Sequence, residues 1–501
     1  MTRNKNLPFT NGDICFLPEQ ISQKSVNRSA QLFLTKNKDL VLKELNLKEL
    51  PLVFVFLHEI QRRYEQKYLN LGFFKKLPRK VQNYIATNDC IKNKEPYAIL
   101  PQMPYTKFGY IILDEGIIND TIRFFELSRL NGIRQLGFLM DPIHREVDLT
   151  ETALTFRHTR GLHSLDVAVF LRLIELNNSK AKLDGNLLSI GGVSHDALTP
   201  AGGDTTKLVN LKMFDEETNY KELFKKLGWE YLAKRYKVKQ EDLAAMVLGK
   251  GLYGKILDIA DKISYVSRDV WNFVGLKNFG NTEILYASKN FEKIRKLVNQ
   301  YPNFCDVYKS VKVIGNDVVI EDGFLWGIFL KIRAMMFAGL YYNPASRFLE
   351  YMFSKRIISF LLKNKNITKE QLLIWKDSDL EEKIYEFLGD GFFPTCFKKS
   401  EYKKFATKKA LSEEINSLRN NYSMVAIPDD FKSTTKTGVD KYLVKKDGKI
   451  MIFKEAYPEM ASEIQNIMKF SPIFGLYLIN LKDLNVPYEK HKKIKEALED
   501  L

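Results

Sequence analysis

Residues 161–176 carry Leu165, Val167, Ala168, Val169, Phe170, Leu171, Leu173 and Ile174 with no polar stripe between them. A helix of that make-up is stable in water only when other protein surrounds it. Residues 323–342, GFLWGIFLKIRAMMFAGLYY, repeat the situation. Both stretches are interrupted by charge, and the longest uninterrupted apolar runs, such as Leu52–Leu57, are far too short to span a bilayer. The chain must therefore wrap further helices around at least two central ones. Its 501 residues, 45% of them hydrophobic, suffice for a large core. The fold class expected is mainly α, a helical core. The polar residues inside the apolar stretches then need an explanation: His163 in the first turn of one, Arg333 in the other.

The remaining chain reads as follows. Residues 1–103 have no assigned role, although Lys36–Asn46 and Leu52–Asn70 have helical spacing. Phe108–Leu113 reads as a short strand. Asp120–Leu136 reads as a helix that Gly137 would cap, and Met140–Thr155 as a polar loop. Lys221–Tyr236, Glu241–Leu248 and Lys255–Val274 have helical spacing, and Asn343-Pro344 supplies a cap and first-turn proline for a helix to about Leu362. Beyond Gly389 the composition turns Lys-rich. Two short runs flank Asp447-Gly448 within Tyr442–Phe453, a hairpin signal, and Tyr477–Ile479 adds a strand. The organisation expected is an N-terminal segment (1–103), a helical core (104–388) and a smaller C-terminal α+β lobe (389–501).

The formal charge of +16 favours anionic partners such as nucleotides or nucleic acid. The lysines are scattered, so composition is the simpler account of most of that surplus. Cys15, Cys90, Cys305 and Cys396 lie far apart with no CxxC pair, which speaks for reduced thiols rather than a disulfide frame. The N-terminus has no apolar stretch of signal-peptide length. The expectation is a cytoplasmic protein without a membrane association.

Chemistry concentrates around Ser189–Asp204, SIGGVSHDALTPAGGD. Adjacent His195 and Asp196 can each offer a ligand to one divalent metal. Six histidines occur, and four of them, His144, His158, His163 and His195, fall within about fifty residues. His144 and His158 read as surface residues in loop, and His58 as a core or surface residue. On the helix Lys255–Val274, residues Asp261, Tyr265, Arg268 and Asp269 share one face, with Lys262 beside them. That face could be an ordinary solvated one, the simpler reading of this helix alone, or a ligand with phosphate-binding groups turned into a cleft. Arg333, Phe337 and Tyr341 follow at helical spacing in a stretch too apolar to be exposed. A buried arginine there needs an anion, either an internal carboxylate or a phosphate.

Thr159–Ala168 (TRGLHSLDVA), Ser194–Asp204 (SHDALTPAGGD) and Ala260–Val270 (ADKISYVSRDV) resemble the H…HD…D signature of the HD-domain superfamily. They are most similar to its deoxynucleoside triphosphate triphosphohydrolases, the bacterial dGTPases and the vertebrate SAM-and-HD-domain dNTPase. Arg129-Leu130 with Ile133–Gly137, and Arg333 with Tyr341 and Tyr342-Asn-Pro, fit the same family in the same order. The resemblance runs from about Pro104 to Leu362. It implies an HD-domain core with His163, His195, Asp196 and Asp261 around one Mn, Fe, Mg or Zn ion. It implies Arg160, Lys262, Tyr265 and Arg333 on a triphosphate, Asp269 on the sugar 3′-hydroxyl, Tyr341 against the deoxyribose, and Gln135 and Leu136 near sugar and base. The implied reaction is attack of water on the α-phosphorus of a dNTP, releasing deoxynucleoside and triphosphate, for nucleotide homeostasis or antiviral defence. A homo-oligomer with a nucleotide effector is implied too.

One position departs from the pattern. The family has histidines four and nine residues after the HD histidine, where this chain has Thr199 and Asp204. Asp204 can replace a histidine as general acid only if its pKa is raised. It could also merely cap a helix at Thr205. Two further readings remain: an HD phosphohydrolase for nucleoside monophosphates or cyclic nucleotides, and a non-catalytic sensor with weak, salt-sensitive nucleic-acid binding.

Overall fold

The computed structural model describes residues 115–135, 159–214, 219–220, 229–274, 289–301, 304–342, 351–388, 401–429, 437–469, 474–484 and 488–499, with a strand pair at 15–16 and 110–111. The chain is mainly helical, with small sheets concentrated toward its C-terminal part. Strands β1 (Cys15–Phe16) and β2 (Tyr110–Ile111) pair antiparallel. The helices that matter for the site are α1 (Glu115–Phe124), α2 (Arg160–Asn177), α3 (Gly185–Ser194), α4 (Gly203–Lys207), α5 (Gln240–Val247), α6 (Gly251–Val274) and α7 (Gly323–Met336). No helix among the described residues is long and apolar enough to cross a membrane.

Helix α2 is the centre, as its all-round apolarity requires: Val167, Phe170, Leu171 and Ile174 are all fully buried. The Thr159 side chain caps its start by accepting from the Leu162 N–H at 3.2 Å. Its end is tied down by Asn178, whose amide donates to the carbonyls of Ile174 and Val311. Helices α3 and α6 pack on α2 from two sides. A Cβ on Gly192 of α3 would lie 2.7 Å from the Ala168 Cα of α2, so glycine sets how closely these two backbones approach. That approach brings the end of α3 over the first turn of α2.

Strands β3 (Val311–Ile314) and β4 (Asp317–Ile320) form a hairpin beside α2. The three-stranded antiparallel sheet has β9 (Phe474–Asn480) between β5 (Glu401–Phe405) and β6 (Met424–Asp429). The hairpin expected in 442–453 is present as β7 (Leu443–Lys446) and β8 (Lys449–Ile452), with Asp447 (φ 50°) and Gly448 (φ 77°) both left-handed in its turn. Its partner was not foreseeable: β7 runs parallel to β4, giving the order β3-β4-β7-β8. Segments 104–388 and 389–501 share their cores accordingly. The larger core takes in Val439, Tyr442, Phe453 and Ile464 with the central helices, and a second joins Met352, Leu361 and Ile384 to Val425, Ile479 and Ile494.

Local corrections follow from packing. The helix expected over Asp120–Leu136 is α1 followed by a 3-10 turn, Leu127–Gly132. The apolar stretch 323–342 is α-helical only to Met336 and then widens into a π turn, Phe337–Tyr341. Tyr351–Ile358 is π-helical before a short α segment, Ser359–Lys363, where one α-helix was expected. Asp204 does not cap a helix at Thr205; it is the second residue of α4, whose cap is Gly202. The expected elements within 1–103, 140–155, 221–228 and 343–350 lie outside the described residues.

Candidate metal centre

His163 stands in the first turn of α2, His195 at the C-cap of α3 with Asp196 after it, and Asp261 midway along α6. One ligand atom each from His163, His195 and Asp196 lies within 4.8 Å of the others. Asp261 Oδ1 is 2.9 Å from His163 Nε2 and 3.9 Å from His195 Nε2. Asp196 faces both rings, Oδ2 at 3.9 Å from His163 Nε2 and Oδ1 at 3.7 Å from His195 Nε2. His163 and Asp196 are buried, whereas the Asp261 side chain is 34% exposed, so the group opens to solvent on the α6 side.

The rings are oriented from behind. His195 Nδ1 lies 2.8 Å from the Gly192 carbonyl, which can only accept; the proton therefore sits on Nδ1 and the lone pair on Nε2. Nε2 is buried and has no hydrogen-bond partner. A buried polar atom left unmatched costs on the order of 1–3 kcal/mol, and a cation among these four side chains would remove that cost. His163 Nδ1 is 3.0 Å from the buried Ser264 hydroxyl. Burial pushes the His163 imidazole down, but the Asp261 and Asp196 carboxylates outweigh it and raise its pKa. Burial raises the Asp196 carboxyl, and His195, Arg160 and His163 more than reverse this, so it is held well below the usual carboxylate range. Asp261 is lowered in the same way, against burial, chiefly by His163. Two imidazoles and two ionised carboxylates suit a divalent ion such as Mn, Fe, Mg or Zn without choosing among them.

Asp204 departs from its expected part. Desolvation raises its carboxyl, but Arg160 and Lys207 outweigh that and hold it below the ordinary value. Arg160 Nη2 lies 2.5 Å from Asp204 Oδ2, and Lys207 Nζ lies 3.2 Å from Oδ1. The condition for a general acid, a raised pKa, is not met. Arg160 is likewise engaged by carboxylates, with Nη1 donating to Asp196 Oδ2 at 3.0 Å.

The polar face of α6 is not a solvated one, since Arg268 and Asp269 are buried. Arg268 meets Asp166 of α2 through two bonds of 2.6 and 2.9 Å. The Tyr265 hydroxyl accepts from Arg333 Nε at 2.5 Å, and the Tyr341 hydroxyl donates to Asp269. Burial lifts the Asp269 carboxyl to about 7 against the Tyr341 hydroxyl bond, and lifts the Tyr265 phenol to about 12. Lys262 is mostly buried against Asp258, 2.5 Å away. Gln135 is 6% exposed with its Oε1 unpartnered, while Leu136, His58, His144 and His158 lie outside the described residues.

Residues beyond those expected complete the surroundings. Arg129 donates to the carbonyls of Thr199 and Ala197, both at 2.8 Å, and so pins the turn that follows the His-Asp pair. The likeness of Arg129-Leu130 to an RL pattern was the only sequence signal. Tyr442 and Lys441, from the edge of the C-terminal hairpin, reach Asp258 Oδ2 at 2.7 and 2.9 Å. Nothing in the sequence ties them to Asp258 of α6, which lies 184 residues before Tyr442, because the parallel pairing of β4 and β7 makes that contact.

No protein-family model matches the chain, and no curated protein sequence matches it. Among solved structures, a hypothetical protein from Aquifex aeolicus is similar at a TM-score of 0.51 and 18% identity, over 77% of this chain and 97% of its own. A phosphohydrolase from Bacteroides thetaiotaomicron is similar at a TM-score of 0.47 and 15% identity, over 75% of this chain and 98% of its own. The first likeness establishes a shared fold and nothing about chemistry; the second is too loose to establish either.

Proposed function

We propose that this chain is a metal-dependent phosphohydrolase of HD type that cleaves dNTPs to deoxynucleoside and inorganic triphosphate. The observation that carries it is the buried, unpartnered Nε2 of His195, aimed among His163, Asp196 and Asp261. A bound divalent ion supplies a water of lowered pKa and Lewis acidity toward phosphate oxygens. The chain's own residues do the rest. His163 and His195 face the site from α2 and α3 and Asp261 from α6. Lys262 follows Asp261 directly on α6, and Arg333 of α7 reaches Tyr265, one turn further along α6; a point charge and a planar fork suit phosphate oxygens. The resemblance gives Tyr341, which donates to Asp269, the part of stacking against the sugar, and Asp269 that of accepting from its 3′-hydroxyl. The dNTP assignment rests on the resemblance of these segments to the dNTP triphosphohydrolases. Asp204, held below the ordinary carboxylate value by Arg160 and Lys207, is a poor source of the proton for the leaving oxygen.

The test is product analysis: purified protein with Mn²⁺, each dNTP singly and then mixed, with Asp261→Ala in parallel. Triphosphate and deoxynucleoside from wild type, lost by at least 10³-fold in the variant on the scale usual for removing a catalytic group, support the reading. Orthophosphate as the product transfers the chain to another phosphohydrolase class. No turnover with any dNTP or mixture overturns it.

A further inference from the structure

Asp196 faces the two imidazoles with both oxygens, and one of them is also held by an arginine. Its Oδ1 is turned to His195 Nε2 at 3.7 Å, and its Oδ2, 3.9 Å from His163 Nε2, is the oxygen that also takes Arg160 Nη1 at 3.0 Å. A guanidinium on a long side chain is fixed in rotation only when held at two points. The second point here is an ion pair with Asp204, whose Oδ2 lies 2.5 Å from Nη2. The Asp204 side chain is 56% exposed; Lys207 meets its Oδ1, and the start of α4 that carries it is anchored by the Gly202 N–H donating to Asp377 at 2.7 Å. Arg160 is 5% exposed, so its geometry is set by protein contacts rather than by solvent.

We infer that Asp204 is a positioning residue of the metal centre, the outer member of a chain Asp204–Arg160–Asp196 that fixes how the Asp196 carboxylate is turned. The inference rests on the metal-site reading above and accounts for an aspartate where the family has histidine. It replaces the role of proton donor with that of an orienting partner. Groups that orient a metal ligand from behind commonly change metal affinity 10–100-fold when removed. A rival account is that Asp204 acts only through space, as one more negative charge near a cation.

The experiment is titration of the full-length protein with Mn²⁺, followed by calorimetry and by electron paramagnetic resonance of free Mn²⁺, with circular dichroism to confirm folding. Asp204→Asn is expected to weaken Mn²⁺ about 10–100-fold. In an Arg160→Lys background, where the fork is absent, the same substitution is expected to change Kd less than about threefold, because the two residues act as one unit. An equal loss in both backgrounds, or no loss in either, overturns the inference. Lys207→Ala is the second variant. It removes a cation, so the through-space account requires tighter Mn²⁺ binding, whereas loosening the support of Asp204 requires equal or weaker binding. Wild type that binds no Mn²⁺ overturns the metal-site reading itself, an outcome distinct from wild type that binds and a variant that binds equally well.

Discussion

The molecule buries charge in two very different ways. In the C-terminal part, Lys495 on the helix Tyr488–Glu499 is 4% exposed. Its ammonium meets the carbonyls of Leu418, Asn421 and Met424 at 3.0, 2.8 and 2.6 Å and the Glu499 carboxylate at 3.0 Å. Every donor is used, and nothing is left for a ligand. At the junction of α2, α3 and α6, two imidazoles and two carboxylates crowd together and His195 Nε2 stays unmatched. Burial of charge therefore says little about function, since satisfied burial is a structural clamp. An unspent lone pair among like donors is what separates the centre from the clamp.

The contrast breaks most sharply by exchanging losses. His195→Ala is expected to abolish Mn²⁺ binding while costing about 1 kcal/mol of metal-free stability, the worth of its bond to the Gly192 carbonyl. Lys495→Met is expected to do the reverse, costing on the order of 3–5 kcal/mol and leaving Mn²⁺ affinity unchanged. Calorimetric titration and denaturant unfolding on both variants decide it; equal effects would erase the distinction. Gly192→Ala comes next. The added Cβ meets the α2 backbone at 2.7 Å, so α3 must move away, and about 1–3 kcal/mol of stability is expected to be lost with weaker Mn²⁺ binding. Unchanged binding would mean that the helix spacing does not set the centre.

An effect confined to pH concerns Asp269, which is buried and raised to about 7. Its folded pKa exceeds the unfolded value, so its contribution to stability is fully present below about pH 4 and is lost as pH rises through about 7. Asp269→Asn mimics the protonated form. In metal-free protein it is expected to match wild type near pH 4 and to be more stable at pH 8 by up to a few kcal/mol. Thermal unfolding across that range checks the sign, and a variant less stable at pH 8 would show that Tyr341 and Arg268 fully support the ionised form.

How much of this was legible beforehand is best seen residue by residue. Helix α2 was legible because apolarity on every side admits only burial, and the hairpin at Asp447-Gly448 because both turn residues must be left-handed. His195 and Asp196 stood out as candidate ligands by their adjacency, and the resemblance added the roles of His163 and Asp261, whereas spacing left the face of α6 open between solvent and a cleft. Local pattern cannot reveal which side of a helix another element will cover, and Arg268 is buried only because Asp166 lies opposite it on α2.

The sequence alone determined the inventory: a mainly helical chain, its central helices, the turn chemistry, and the donor types on offer. Tertiary structure decided the pairings. It set Asp204 between Arg160 and Lys207, which lower its carboxyl where a general acid needs it raised. It widened the end of the Arg333 helix into a π turn, with the Tyr341 hydroxyl on Asp269. It brought Tyr442 to Asp258 through a parallel strand pair. The physical reason is the range of the forces involved. Propensity and periodicity act over a few residues and are written along the chain, whereas pKa and hydrogen-bond partners depend on groups that meet only after the chain has folded.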